Sequence, residues 1–407
     1  MNLLFVHQNM PGQFRHLAAH LARQPDNRVF FLTRREDVEI AGVTRVVYRP
    51  ARGPSREIHH YLIRSEDAVL HGQAVARAVV ALKGRGFVPD LVVAHSGWGE
   101  ALFLRDILPR TPILSYCEFY YRAHGADMGF DPAEPPELDA ILRARARNAH
   151  LLLSLEACDR GWSPTHWQKS VHPAPFHPRI SVVHEGIDTE SLAPDPLATF
   201  LPPDGKALRR GDEVVTYVAR NLEPYRGFPT LIRALPAILA ERPAARVVIV
   251  GGDQISYGSP PREGGTWRER MLAEVPLVPD RVHFVGRLPY DRFAALMKVS
   301  AVHVYLTYPF VLSWSMLEAM AAGAAVVGSA TAPVEEVIHH NQNGLLADFF
   351  SPEQVAERVC ALLADRERRD ALAAAGRRTV QAGFDLRRCL PAQLALLRSM
   401  VGFAPDR

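Results

Sequence analysis

The stretch that decides the fold is PFVLSWSMLEAMAAGAAVVGSA, Pro309 to Ala330. Its last seven residues form a short apolar run typical of a buried strand, and the segment before them connects a strand to a helix. Glu318 is the one formally charged side chain between Lys298 and Glu335. Because a lone buried carboxylate is costly unless donors surround it, Glu318 must meet either a structural partner or a ligand.

Short apolar runs alternate with helical patterns on both sides of this stretch, which is typical of repeated βα units and a parallel sheet. In the first half the predicted strands are LLFVHQN, RVFFLT, DLVVAHS, PILSYCEF, LLLSLEA and RISVVHEG. In the second half they are EVVTYVAR, RVVIVGG, RVHFVGR, AVHVYLTY and AAVVGSA. Helices are predicted over residues 14–23, 68–83, 228–241, 290–299 and 386–400. The predicted fold class is α/β, with two doubly wound Rossmann-like domains.

The two series of strands are separated by a polar, proline-bearing segment near HEGIDTESLAPDP. This predicts an N-terminal domain over residues 1–188 and a C-terminal domain over residues 189–385. The last helical stretch, within residues 386–407, is predicted to pack back on the first domain. Parallel sheets bind ligands at the carboxyl ends of their strands, so two facing domains imply an interdomain cleft.

Composition excludes several classes of protein. The chain has 407 residues and a formal net charge of +3, which does not suggest nucleic-acid binding. No uninterrupted apolar stretch reaches the length of a membrane span. The cysteines show no C-x-x-C or zinc-ligand spacing, which fits free thiols in a reducing cytoplasm: Cys117, Cys158, Cys360 and Cys389. Arg143, Arg145 and Arg147 lie within five residues; a solvated face is the favoured interpretation, and a surface facing anionic lipid or glycan is the alternative.

Three features could carry chemistry. Arg220 and Arg226 flank a loop in YVARNLEPYRGFPTLI where a helix begins, which is the pattern of an anion site; two surface arginines are the equal alternative. Glu318 offers two acceptor oxygens suited to a vicinal diol such as that of ribose, and a glutamate paired with an arginine of its own domain is the slightly favoured alternative. Gly12 in MPGQF permits close backbone approach after the first strand, although a plain turn explains it as well.

Several common motifs are missing from the sequence. It contains neither G-x-G-x-x-G nor G-x-x-x-x-G-K-[ST], so an NAD-dependent dehydrogenase and a P-loop enzyme are disfavoured. H-E-x-x-H and G-x-S-x-G are also absent, which weakens a metalloprotease or hydrolase interpretation.

Taken together, the second half resembles the retaining glycosyltransferases of family 4, which have the GT-B architecture. Arg220 and Arg226 resemble the family's diphosphate-binding Arg and Lys, in a loop one residue longer than the common form. VGRLPYDRFAALMKVSAVHVYLT, which contains Arg287 and Leu288, resembles the strand whose following loop holds the nucleotide base through main-chain groups. LEAMAAGAAVVGSATAPVEEVIHHNQNGLL is the most specific match, and its Glu318 resembles the second Glu of the family's Glu-x7-Glu motif.

The sequence departs from the family pattern at three places. Phe310 stands where the motif has its first Glu, and Val311, Leu312 and Ser313 replace the usual Gly-Phe-Gly. Backbone N–H groups there could still hold the donor. After the strand PILSYCEF, Glu118 takes the position of a frequent family His. These differences leave open whether Glu118 contacts donor or acceptor, and whether the chain is inactive or uses another sugar.

The resemblance implies a retaining transferase that moves a sugar from a nucleoside-diphosphate sugar to an acceptor hydroxyl, in surface polysaccharide or glycoconjugate synthesis. It implies catalytic roles for Arg220, Arg226 and Glu118, with His95 and Glu118 on the acceptor side. The implied donor-binding residues are Gly12, Arg220, Arg226, Arg287, Leu288, Phe310, Val311, Leu312, Ser313 and Glu318. No metal or cofactor is implied, because fixed cations replace a metal in this family.

The expected partners are the nucleotide sugar and a glycan, lipid-linked or small-molecule acceptor, with no nucleic acid. The expected location is the cytoplasm, with peripheral contact at the inner face of the membrane as an alternative. Two competing functions stay open: a nucleotide-sugar epimerase or phosphorylase on the same fold, and a non-catalytic nucleotide-sugar-binding partner.

Overall fold

The computed structural model describes residues 1–203 and 205–401, which divide into two compact units. Of the described residues, the N-terminal unit contains Met1–Gly186 and residues 387–401, and the C-terminal unit contains residues 187–386 apart from residue 204. The chain therefore passes from the first unit to the second within HEGIDTES and returns once, at its last helix.

The N-terminal unit is built on a seven-stranded sheet whose strands are all parallel, in the order β3-β2-β1-β4-β5-β6-β7. The strands are β1 (Asn2–Val6), β2 (Arg28–Thr33), β3 (Val43–Val47), β4 (Leu91–His95), β5 (Ile113–Tyr116), β6 (Arg160–Ser163) and β7 (Ile180–Val182). The helices are α1 (Arg15–Ala22), α2 (Ile63–Gly84), α3 (Leu104–Ile107), α4 (Leu138–Arg147), α5 (Ala149–Ala157) and α6 (His166–Ser170).

The C-terminal unit has a six-stranded parallel sheet in the order β12-β11-β10-β13-β14-β15, and a small antiparallel pair, β8-β9. The strands are β8 (Thr199–Phe200), β9 (Leu208–Arg209), β10 (Val214–Asn221), β11 (Arg246–Gly252), β12 (Val282–Gly286), β13 (Val302–Tyr305), β14 (Ala325–Ser329) and β15 (Leu345–Ala347). The helices are α7 (Phe228–Glu241), α8 (Trp267–Glu274), α9 (Tyr290–Val299), α10 (Trp314–Ala321), α11 (Ala332–Glu335), α12 (Pro352–Ala364) and α13 (Arg366–Gly383).

Both sheets are buried on both faces, which explains why their strands are continuous apolar runs rather than alternating ones. In β1, Leu3 and Phe5 belong to the hydrophobic cluster on one face, and Leu4 and Val6 belong to the cluster on the other. All four are at most 1% exposed. The β14 run in the opening stretch is buried along its whole length, as its composition predicts.

The last helix, α14 (Leu386–Arg398), packs on the N-terminal unit. Leu396 and Leu397 join the hydrophobic cluster that contains Phe5 of β1. The Gln393 side-chain amide donates to the carbonyls of His184 and Glu185, at 2.8 and 3.0 Å. These contacts tie the end of the chain to the segment that follows β7.

One predicted strand is wrong. The run LLLSLEA lies in helix α5, with His150, Leu151, Ser154 and Leu155 buried and Leu152 exposed. That spacing follows the turn of a helix, but four apolar residues in a short run fit a buried strand equally well until their neighbours are known. The sequence analysis also missed five short strands, β3, β6, β8, β9 and β15.

In residues 1–203 and 205–401, none of the helices combines the length and the apolar character needed to cross a bilayer.

Candidate active site

The candidate residues cluster at the point where the strand order reverses in each sheet. This point lies between β1 and β4 in the N-terminal unit, and between β10 and β13 in the C-terminal unit. Diverging connections leave a crevice at the carboxyl ends of the strands there, which is where doubly wound sheets bind ligands. Each unit therefore has its own group of polar side chains.

In the N-terminal unit, four side chains form a chain of contacts that ends on Glu118. His7, just after β1, lies 2.7 Å from Gln13 Oε1 through its Nε2 atom. The Gln13 side-chain amide donates to Glu118 Oε1 at 2.6 Å. On the other side of the carboxylate, Nε2 of His95, the last residue of β4, lies 3.5 Å from Glu118 Oε2. The structure thus brings His95 and Glu118 together, and adds His7 and Gln13.

The backbone fixes which ring nitrogens carry protons. Nδ1 of His7 accepts from the Asn9 N–H at 2.9 Å, and Nδ1 of His95 accepts from the Gly97 N–H at 3.0 Å. A neutral ring at either position therefore carries its proton on Nε2, facing Gln13 or Glu118. Burial, and then the neighbouring His95, lowers the pKa of His7 to about 3, so His7 is neutral at physiological pH.

Glu118 is partly exposed to solvent in this group of four side chains. Its side chain is 28% exposed, whereas His95 is fully buried beneath it. The His95 ring stacks on Trp98, with centroids 4.4 Å apart, which holds the imidazole in place. A partly exposed carboxylate can accept hydrogen bonds from hydroxyl groups of a ligand.

Gly12 lies in the same group for a steric reason. Its φ is +50°, a conformation that favours glycine, and a Cβ built there would be 2.4 Å from Nε2 of His7. Any larger residue would displace the His7 ring. Gly12 therefore serves the close packing of the MPGQF turn against His7, a requirement that the sequence alone does not reveal.

In the C-terminal unit, Arg220 and Arg287 lie at the carboxyl edge of the sheet. Arg220, near the end of β10, is exposed, and its guanidinium has no partner among the described residues. Arg287 follows β12, and its Nη2 donates to Asn221 Oδ1 at 3.0 Å and to Gln254 Oε1 at 3.3 Å. Arg220 is thus an available cation, while Arg287 is partly held by neighbours.

Arg226 has a different environment from Arg220. It is only 7% exposed, and its Nη1 donates to the Tyr305 hydroxyl, to Thr307 Oγ1 and to the Val311 carbonyl, at 3.2, 2.7 and 3.0 Å. The sequence reading placed Arg226 beside Arg220 as a second open cation. In the structure, Arg226 is buried, and its hydrogen bonds connect the end of β13 to the loop before α10.

Phe310, in the position of the missing carboxylate, is part of an aromatic cluster. It is 4% exposed, and its ring centroid lies 5.0 Å from that of Tyr257 and 5.8 Å from that of Tyr225. The Arg226 guanidinium lies 5.9 Å from the centre of the Phe310 ring. The side chain is therefore packed against the buried cation rather than presented to a ligand.

The backbone N–H groups of residues 310–313 differ in whether they have a partner within the protein. The Ser313 N–H donates to the Tyr305 hydroxyl at 2.7 Å, and the Phe310 N–H donates to the Tyr308 carbonyl at 2.6 Å. Among the described residues, the N–H groups of Val311 and Leu312 have no hydrogen-bond partner. Two donors, not four, remain available at this loop.

Glu318 lies on α10 and is 9% exposed. The Tyr290 hydroxyl at the start of α9 donates to its Oε1 atom at 3.1 Å. Leu288 is partly buried against the hydrophobic cluster of the C-terminal unit. Glu318 therefore has at least one structural partner, the hydroxyl of Tyr290.

Sequence reasoning missed Glu223, which lies between Arg220 and Arg226. Its carboxylate is fully buried and accepts from the backbone N–H groups of Ser256, Tyr257 and Gly258, at 3.1 to 3.3 Å. These bonds hold the loop after β11 beside the site. The one signal in the sequence was a carboxylate placed between two candidate cations.

In the part of the chain that the structure describes, no group of three or more His, Cys, Asp or Glu side chains could hold a metal ion.

The chain matches two models of known protein families. Residues 25–192 match the model described as "Glycosyl transferase family 4 group", and residues 204–379 match "Glycosyl transferases group 1". The two matches fall in the N-terminal and C-terminal units respectively, apart from a few residues at the boundary.

Curated relatives are named as glycosyltransferases. A GDP-mannose-dependent alpha-(1-6)-phosphatidylinositol monomannoside mannosyltransferase from Mycobacterium tuberculosis is 29% identical over 314 residues, 74% of this chain and 75% of the relative. A D-inositol 3-phosphate glycosyltransferase from Corynebacterium glutamicum is 28% identical over 194 residues, 47% of this chain and 45% of the relative.

Solved structures share the fold over nearly the whole chain. Sucrose-phosphate synthase from Thermosynechococcus elongatus superposes with a TM-score of 0.73 at 18% identity, covering 99% of both chains. Anabaena Alr3699/HepE, solved in complex with UDP-glucose, gives a TM-score of 0.69 at 16% identity, covering 98% of this chain and all of the other.

Proposed function

The chain belongs to the family 4 glycosyltransferases and has the GT-B fold, and from this we propose that it transfers a hexose from a nucleoside-diphosphate sugar to an acceptor hydroxyl with retention at the anomeric carbon. The single observation that supports this most is Arg220. It is an exposed guanidinium without a partner in the described chain, at the carboxyl edge where a doubly wound sheet binds its ligand.

In the proposed reaction, the bond between the anomeric carbon and the diphosphate oxygen breaks as negative charge grows on the diphosphate. Arg220 and the N–H groups of Val311 and Leu312 stabilise this charge more in the transition state than in the bound donor. The acceptor oxygen bonds to the anomeric carbon on the same face, and its proton passes to the departing phosphate. No protein base is needed for that transfer.

Arg226 contributes indirectly in this proposal. Its three hydrogen bonds hold β13 and the loop that carries the Val311 and Leu312 N–H groups. Glu223 holds the neighbouring loop after β11 in the same way. Preorganised donors cost no reorganisation when the charge develops, which is why such supports matter for rate.

Glu118 is proposed to bind sugar hydroxyl groups of the acceptor. Its carboxylate is held by Gln13 and lies beside His95, and part of it stays exposed. A carboxylate oriented in this way accepts a hydrogen bond from a hydroxyl group in one position better than from hydroxyl groups in other positions. Glu118 would therefore position the attacking hydroxyl, while the departing phosphate takes the proton.

The acceptor is proposed to be lipid-linked and used in glycoconjugate synthesis, as the name of the mycobacterial relative suggests for that protein. A surface on α4 and α5 of the N-terminal unit supports this. It combines the exposed basic residues Arg143 and Arg145 with exposed apolar side chains: Leu138, Leu142, Leu152 and Leu153. A cavity of about 430 Å3, lined in part by Arg122, Arg145 and Leu152, adjoins it. Arginine and leucine side chains together suit an anionic membrane surface.

The function is tested by mixing the protein with a panel of nucleoside-diphosphate hexoses, with and without a phosphoglycolipid acceptor. Release of the nucleoside diphosphate should require the acceptor, and NMR of the product should show the same anomeric configuration as the donor. Release of free sugar without an acceptor would instead identify an epimerase. Binding of a donor without turnover under every condition would identify a non-catalytic partner.

Membrane contact is tested by sedimentation with vesicles of phosphatidylglycerol or phosphatidylcholine. The protein should bind the anionic vesicles, and Leu138→Glu with Leu142→Glu should reduce binding at least tenfold, because charged residues would replace inserted apolar ones. Leu197→Glu is the matched control, since Leu197 is 86% exposed in the C-terminal unit. Equal loss in both variants would remove α4 and α5 as the membrane surface.

A further inference from the structure

A second basic cavity lies in the C-terminal unit, away from the candidate active site. Its volume is about 370 Å3, within the size range of small-molecule sites. Its charged lining consists of four arginines and one aspartate: Arg210, Arg366, Arg369, Arg377 and Asp370. We name it the α13 pocket, because most of these residues belong to that helix.

The α13 pocket lies at the opposite edge of the sheet from Arg220. Its lining residues Gly211, Ala301 and Gly323 come shortly before β10, β13 and β14. These are the amino ends of parallel strands, whereas Arg220 and Arg287 lie at carboxyl ends. A ligand in the α13 pocket would therefore not be the sugar donor in its catalytic position.

Two of the four arginines form hydrogen bonds within the protein that account for their presence. Arg210 donates to the carbonyls of Lys298 and Gly323, at 3.0 and 2.8 Å. Arg377 donates to the carbonyl of Ala321, in the last turn of α10, and to that of Thr189. Carbonyls left open at a helix end accept readily from guanidinium groups, so these two residues alone would not indicate a ligand.

Arg369 has no such explanation. It is 8% exposed, and in the described chain its guanidinium makes no hydrogen bond; its one ionic contact joins Nε to Asp370 Oδ1 at 3.4 Å. The same carboxylate lies 3.5 Å from Nε of Arg366, whose side chain is 77% exposed. One carboxylate shared by two arginines leaves the Arg369 guanidinium without a hydrogen-bond acceptor among the described residues, so it can donate to an anion in the cavity.

We propose that the α13 pocket binds a small phosphorylated molecule carrying at least two negative charges. Four guanidinium groups against one carboxylate leave an excess of three positive charges around the cavity. Phosphate oxygens accept from planar guanidinium groups in pairs, which suits Arg366 and Arg369 on one turn of α13. The cavity wall also includes Pro194, Ala301 and Ala373, which offer apolar contact to the rest of such a molecule.

The proposal is tested by calorimetric titration with inorganic pyrophosphate, at low ionic strength, in a protein that carries Arg220→Ala. That background weakens the candidate donor site, so the remaining binding reports on the α13 pocket. Adding Arg366→Ala or Arg369→Gln should weaken this binding at least tenfold. Arg378→Ala is the matched control, because Arg378 is exposed on the same helix and does not line the cavity; it should have no effect.

The two α13 variants distinguish binding in the α13 pocket from binding elsewhere. Arg366 is largely exposed, so its replacement keeps the test valid even if the buried Arg369→Gln variant unfolds. Binding that disappears with Arg220→Ala alone, or that survives both α13 replacements, would overturn the proposal. The result does not depend on the identity of the sugar donor.

Discussion

Arg220→Ala is expected to lower kcat by roughly 100- to 1,000-fold, the usual effect of removing one group that stabilises transition-state charge. Arg220 is exposed and has no partner in the described residues, so its loss removes no internal contact. The melting temperature should therefore change little. The measurement is steady-state release of the nucleoside diphosphate, together with the thermal unfolding transition of both proteins.

Arg209→Ala is the matched control for this prediction. Arg209 is an exposed arginine of the same unit, in the small β8-β9 pair, where no candidate residue lies. Its replacement should leave both kcat and the melting temperature unchanged. Arg220→Ala with a near-normal kcat would exclude Arg220 as the group that stabilises the leaving diphosphate. Arg226 is less suitable for this test, because its replacement would also remove three buried hydrogen bonds.

Glu118→Gln is expected to raise KM for the acceptor and to lower kcat/KM for the acceptor by roughly 10- to 100-fold. A charge-assisted hydrogen bond contributes about 1.5–3 kcal/mol, and glutamine keeps the shape of the side chain but not its charge. It also turns one of the two acceptor oxygens, facing Gln13 or His95, into a donor. Initial rates at varied acceptor and fixed, saturating donor give the two constants.

The kinetic pattern distinguishes this role from a purely structural one. Loss of an acceptor contact should leave KM for the donor within about twofold of its original value, because the diphosphate is bound by the C-terminal unit in our proposal. Glu118→Asp, which keeps the charge on a shorter side chain, should recover part of the loss. Equal increases in KM for donor and acceptor, or no change in either, would be incompatible with Glu118 as an acceptor-binding residue.

The fold was largely predictable from the sequence. Parallel strands that are buried on both faces form continuous apolar runs. The sequence therefore predicts five of them: β1, β2, β10, β11 and β14. The predicted helix bounds for α7 and α9 agree with the structure at both ends. The error at α5 arose where an apolar run was short enough to suit either structure, and only packing decided between them.

The candidate site was predictable only in part. Arg220 and Glu118 could be singled out because each lies at or just after the end of a strand, where ligands of such sheets bind. His7, Gln13, Trp98 and Glu223 were not predicted. Gln13 contacts the distant Glu118 and Glu223 accepts from backbone N–H groups, while the short-range contacts of His7 and Trp98 depend on how the side chains are oriented. Arg226 and Arg220 are six residues apart and similar in sequence context, yet one is buried and one is exposed.

The sequence by itself determined most of the buried strands of the two sheets and which family motif the chain carries. Those properties follow from the hydrophobicity of the residues and from their spacing along the chain, and both can be read directly from the sequence. The tertiary structure alone decided that Phe310 packs over Arg226, that Gly12 makes room for His7, and that Arg210 shares one cavity with three arginines of α13. Each of these depends on burial and on the distances between side chains, and neither quantity exists until the chain has folded.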